Sequence, residues 1–238
     1  MRTGLSSVVA HATYLANLGS TDQTIWSKSV AAVVEELERC HVLEIPYLVL
    51  HPGAHLDAPL AEGIRRIIEG INAIYQQTEG VDTSLLLETT AGQGTSIGHR
   101  FEHLQEILTS VRDPERLGVC LDTCHMFAAG YALSPQAEYD ATMQALDASV
   151  GLGKVRCIHV NDSKRAQGSR VDRHEHIGKG LIGLKGFRPL LNDARLAHVP
   201  RILETPKGQD DRGRDLDKLN LSRLRRLVRS RDPELGRQ

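Results

Sequence analysis

Residues 159–180, HVNDSKRAQGSRVDRHEHIGKG, hold three of the chain's eleven histidines and two aspartates among turn-forming and basic residues. Buried polar groups cost free energy unless they are paired or bound to a metal, and a plain solvated connection is more usually Ser, Gly and Lys. So much imidazole and carboxylate in one loop reads as half of a metal site. The other half is expected where short apolar runs end. In chain order those ends are His11, His51, Glu88, Asp122, His159 and Glu204, all of metal-ligating type. His125 joins them from LDTCH, three residues past Asp122, where it can turn to the same face. Asp172 and His174 join them from VDRHEH, because alternate positions of an extended loop point the same way.

Nine candidate ligands suffice for about three ions at three or four protein ligands each, provided that one carboxylate is shared. Imidazole and carboxylate without thiolate suit Zn²⁺, Mn²⁺ or Fe²⁺ better than Mg²⁺ or Ca²⁺. Four carboxylates against three divalent cations leave a local excess of about two positive charges. Such a pocket favours a phosphodiester, because paired ions can stabilise both the attacking and the leaving oxygen. Lys164, Arg165, Arg170, Arg173, Lys179 and Lys185 add positive charge around the same loop.

The elements that must carry these residues repeat one pattern: apolar run, polar end, loop, helix-period segment. The runs are Ser6–Ala10, Tyr47–Leu50, Leu85–Leu87, Leu117–Leu121, Val155–Ile158 and Arg201–Leu203. Between them lie helical stripes such as Val30, Val33, Val34 and Leu37, or Ile64, Ile67, Ile68, Ile71 and Ile74. Strands alternating with amphipathic helices predict an α/β fold, a parallel sheet with helices outside. In a β/α barrel the strand C-termini converge on one face, where active sites are built. With 238 residues and no long linker, one domain over residues 1–238 is the economical reading. A net charge of −1 predicts neither nucleic-acid nor membrane binding by itself, and no apolar run approaches a membrane span. The start lacks a signal-peptide pattern. Cys40, Cys120, Cys124 and Cys157 show no disulfide or CxxC spacing, which points to a reducing cytoplasm.

The segments HATYLANLG, HPGAHL, LLLETTAGQG, LGVCLDTCH, HVNDSK, RVDRHEHIGKGLIG and ILET, in that order, resemble endonuclease IV, the zinc-dependent class of apurinic/apyrimidinic endonuclease. The resemblance implies a TIM barrel with three Zn²⁺ ions. It implies an enzyme that cuts double-stranded DNA 5′ to an abasic site and leaves a 3′-hydroxyl, as in base excision repair. Carried over residue by residue, it gives His11, His51 and a bridging Glu88 to the first zinc. Glu88, Asp122, His159 and Glu204 go to the second, and His125, Asp172 and His174 to the third. Glu88 is thereby the catalytic carboxylate beside the hydroxide that attacks phosphorus. Tyr14 and Leu15 match the loop that probes the damaged duplex, and a monomer is expected.

The pattern is shortened. Six of the eight β/α units of a full barrel have counterparts, so the fold is expected to be an incomplete TIM barrel, with an upstream in-frame extension of roughly 55 residues. Sugar isomerases and epimerases on related barrels, whose sites resemble the Glu88, Asp122, His159 and Glu204 subset, are the alternative enzyme class. An inactive shortened homologue is the third possibility. Among the other histidines, His55 is expected near the site without a ligand slot. His41, His99, His103 and His198 are expected at the surface, and His176 is given no role.

Overall fold

The apolar runs form strands because they are flanked by turn residues, and they are parallel because a covering helix follows nearly every one. The computed structural model describes residues 8–228. Along them run β1 (Val9–His11), α1 (Gln23–Val42), β2 (Tyr47–Leu50), α2 (Leu60–Gln77), β3 (Ser84–Glu88), α3 (Phe101–Ser110), β4 (Leu117–Asp122) and α4 (Thr123–Ala129). There follow α5 (Gln136–Ser149), β5 (Val155–His159), β6 (Asp162–Ser163), β7 (His174–Glu175), α6 (Gly183–Leu191), β8 (Arg201–Ile202) and α7 (Leu216–Arg225). The main sheet has six strands in the order β1-β2-β3-β4-β5-β8. Every neighbouring pair is parallel, and the sheet is the incomplete α/β barrel expected from the alternation.

Helix positions follow from periodicity and caps. On α2, Ile64, Ile67, Ile71 and Ile74 recur at three- and four-residue spacing, and all four are buried. The Asp22 carboxylate opens α1 by accepting from the Thr24 and Ile25 amides at 2.8 and 3.0 Å, a cap worth about 1 kcal/mol.

Strand alternation divides the buried apolar residues into two cores. Leu48, Leu50, Leu85, Leu87 and Leu121 pack under the helices. Val49, Leu86, Cys120 and Cys157 form a smaller cluster with Val9, Tyr47 and Ile202. Each strand-end candidate stands two residues beyond a member of this smaller cluster: His11 after Val9, His51 after Val49, Glu88 after Leu86, Asp122 after Cys120, His159 after Cys157, Glu204 after Ile202. Because a strand repeats every two residues, the same sheet face carries an apolar floor and, above it, the polar site.

Ser6 and Ser7 lie outside the described residues. The structure departs from the sequence reading at several points: His11, Glu88, Asp122 and His159 end β1, β3, β4 and β5 rather than following them, and β8 stops at Ile202. A short helix, α4, starts directly after Asp122. The long loop contains the antiparallel pair β6–β7, in which Ser163 faces His174. His103, expected at the surface, is buried on α3. Its position four residues before Ile107 puts it on the apolar side of the helix, where its Nδ1 accepts from the Gly98 amide at 3.3 Å.

Candidate metal centre

The nine candidates converge. Glu88, at the end of central strand β3, is fully buried and lies between four imidazoles. Its Oε2 is 3.0 Å from His11 Nε2 and 2.9 Å from His51 Nε2. Its Oε1 is 2.9 Å from His159 Nδ1 and 3.4 Å from His125 Nδ1. His159 Nδ1 is also 3.0 Å from Glu204 Oε2. On the other side, His125 Nε2 and His174 Nε2 approach Asp172 at 3.0 and 3.4 Å.

Local structure explains how His125 and His174 arrive there. Asp122 caps α4, its Oδ1 accepting from the His125 amide at 2.7 Å, so the first turn swings the imidazole back over the strand end. His174 is held by its pairing with Ser163 in β6–β7. The amide of Asp172 donates to Gln93 Oε1 at 3.0 Å. A link that sequence reading overlooked is Asn161, fully buried. Its side-chain NH₂ donates to Asp122 Oδ2 at 2.6 Å, while its Oδ1 accepts from the Glu204 amide at 2.8 Å. It ties the end of β4 to the segment after β8; its place in HVND, two residues past His159, was the available signal.

Three groups of ligand atoms result, each with all its atoms within 4.8 Å of one another. They are His11, His51 and Glu88; Glu88, Asp122, His159 and Glu204; and His125, Asp172 and His174. The donor chemistry suits cations. The Nδ1 atoms of His11, His125 and His174 face the backbone carbonyls of Ala12, Thr89 and Glu204 at 2.7, 2.8 and 3.3 Å. A proton on Nδ1 leaves the Nε2 lone pair free for a metal. His125 Nε2 and His174 Nε2 are buried and face the Asp172 carboxylate without a well-aligned hydrogen bond to it, an arrangement that an ion held between them would satisfy.

Electrostatics agree with this geometry. Burial opposes charge on Glu88, yet hydrogen bonds from His11, His125, His159 and His51 hold its pKa well below the ordinary carboxylate value. Burial likewise opposes the imidazolium of His159, but Cys157, Glu204 and Glu88 raise its pKa. For His125, Asp122, Asp172 and Glu88 outweigh burial in the same direction. The cluster attracts positive charge, and a metal ion would meet that demand without bound protons.

Tyr14 and Leu15 project into solvent at 83% and 78% exposure. Lys164, Arg165, Arg170, Arg173, Lys179 and Lys185 are exposed, and none forms an ion pair among the described residues. His55 Nδ1 faces the Ala58 carbonyl at 2.5 Å, and His176 Nδ1 accepts from the Asn220 side chain at 3.1 Å. His41 and His198 are exposed, and His99 is half-buried.

Comparison with known proteins fits this arrangement. Residues 2–227 match the protein family described as xylose isomerase-like TIM barrel. A Chloroflexus aggregans protein named probable endonuclease 4 is 50% identical over 228 residues, covering 96% of this chain and 79% of the relative. Endonuclease IV from Thermus thermophilus matches in structure with a TM-score of 0.79 at 37% identity, covering 93% of this chain and 75% of that one. A D-tagatose 3-epimerase-like protein, at 19% identity and a TM-score of 0.69 over 92% of this chain and 79% of its own, shares the fold. The chain therefore belongs to the endonuclease IV family, within the xylose isomerase-like TIM barrels.

Proposed function

We propose that this chain is a zinc-dependent phosphodiesterase that cuts double-stranded DNA 5′ to abasic sites and leaves a 3′-hydroxyl. The observation that carries the reading is the buried carboxylate of Glu88, which belongs to two ligand groups at once and lies next to a third. His11, His51 and Glu88 would hold one zinc. Glu88, Asp122, His159 and Glu204 would hold a second, and His125, Asp172 and His174 a third. Bound metal supplies Lewis-acid activation of water and neutralises charge developing on the phosphodiester. A sugar isomerase or epimerase holding one or two ions has no use for the His125, Asp172 and His174 group.

The chain's own residues set the conditions for this chemistry. Glu88 stays ionised in a buried position, so its charge acts with little screening. Asn161 orients Asp122 and the backbone at Glu204, and Val49 and Leu86 keep water from beneath the site. Tyr14 and Leu15 offer an exposed apolar pair to the gap where a base is missing. The unpaired basic side chains around β6–β7 suit contact with phosphates.

Incubation with a duplex carrying one abasic site tests the reading. The expected product is a single 5′-side cut whose end a polymerase extends, abolished by a chelator and restored by zinc. A β-elimination product, or cleavage indifferent to chelation, overturns it.

A further inference from the structure

Two cysteines stand among the floor residues. Cys120 and Cys157 face each other across β4 and β5, and Cys120 also pairs in register with Glu88. Both are free thiols, fully buried. One ligand atom each from Cys120, Cys157 and His159 lies within 4.8 Å of the others. Around them are Val49 and Leu86. The Cys120 thiol donates a long hydrogen bond, 3.9 Å, to the Leu121 carbonyl.

We propose that Cys120, Cys157 and His159 form a further binding site for a thiophilic divalent cation such as cadmium, on the floor beneath the nitrogen and oxygen clusters and sharing His159 with one of them. For zinc, bonds of about 2.3 Å to sulfur and about 2.0 Å to nitrogen place tetrahedral donors ~3.5–4 Å apart; the larger cadmium ion spreads them further, which the 4.8 Å limit on these three atoms leaves room for. Charge favours the same assignment. Two thiolates and a neutral imidazole around a divalent ion sum to zero, and a neutral complex escapes the cost of burying charge against Val49 and Leu86. Binding releases the two thiol protons to solvent. Soft sulfur donors select cadmium over the harder ions.

His159 gives the site its consequence. Its Nδ1 faces Glu88 and Glu204, so a cation that captures the imidazole from the floor competes with the cluster above. This coupling rests on the nuclease reading; the sulfur ligation does not.

The test is titration of the zinc-loaded full chain with cadmium chloride under a phosphine reductant. The thiolate-to-cadmium charge-transfer band in the ultraviolet and X-ray absorption at the cadmium edge are followed together. One cadmium with two sulfur neighbours per chain is expected. The band should persist in Cys40→Ser and Cys124→Ser and fall by at least half in Cys120→Ser or Cys157→Ser, with folding verified by circular dichroism. The X-ray measurement reads the sulfur shell in the unmodified chain, so its answer does not depend on whether a variant folds. A shell of nitrogen and oxygen alone overturns the proposal. So does a single sulfur that disappears in Cys124→Ser, since Cys124 forms its own group with Asp122 and His174. A two-sulfur shell in a chain that does not cut abasic DNA supports the site and sinks only the nuclease reading.

Discussion

Glu88 concentrates the chemistry of the centre at one residue. Its two oxygens point to different ligand groups, so Glu88→Ala should release two zinc ions together, lowering the content from about three per chain to about one. Elemental analysis of the purified variant checks this, and undiminished zinc would refute the shared role. His103 shows a different effect of burial. Its pKa is lowered to about 4 by desolvation, with further repulsion from His99 and Arg100. The unfolded chain binds a proton near pH 6.5 while the folded one resists it, so this residue removes stability as pH falls from about 6.5 to 4. The loss by pH 4 is about 3 kcal/mol. In denaturant titrations His103→Asn, which keeps an acceptor for the Gly98 amide, should flatten the difference between pH 7 and pH 4 by about that amount.

At the scale of elements, Asp162 organises the long loop between β5 and α6. Its fully buried carboxylate accepts from the amides of Ser163, Gly178, Gly180, Ile182 and Gly183. The residue needs no charged partner because convergent amides replace water as donors. A Cβ at Gly180 would lie 2.5 Å from Asp162 Oδ1 and overlap the Ser163 carbonyl oxygen. Gly180→Ala should therefore destabilise the chain by roughly 2–4 kcal/mol, read as a lower midpoint in urea, and Asp162→Asn should do much the same. How much of this was legible varies with how local its cause is. The strand-end residues could be read from order and type alone, since each follows a short apolar run. His125 was legible because a residue three past a strand end can turn to the same face, although the helix that turns it was not expected. The β6–β7 pair was not, because its strands are two residues long and too short to show a period; nor was the Asn161 bridge, because it joins Asp122 to the segment after β8, which only the folded sheet brings together. His103 lies inside rather than at the surface because its helical spacing to Ile107 puts it on the apolar side of α3.

For the whole molecule, ions bound to the folded state alone should raise its stability by about 3 kcal/mol each when present at a hundredfold over their dissociation constants. Removal of zinc with a chelator should lower the melting temperature by several degrees per ion, and calorimetry before and after zinc is restored measures it. No change on chelation would mean that the clusters are empty or that unfolded chain binds equally well. The sheet also has a gradient of length. Its central strands β3, β4 and β5 run five, six and five residues, while the edges β1 and β8 have three and two.

That gradient bears on how the assembly would come apart. The first ligand group draws on β1, the residue after β2, and β3; the second on β3, β4, β5 and the segment after β8. Seen as a textile, the cations would be two stitches sharing one thread at Glu88, each running from a long central strand to a short outer one. Cutting that thread should let both selvedges fray at once, with amide hydrogen exchange quickening in β1 and β8 together while β4 stays protected.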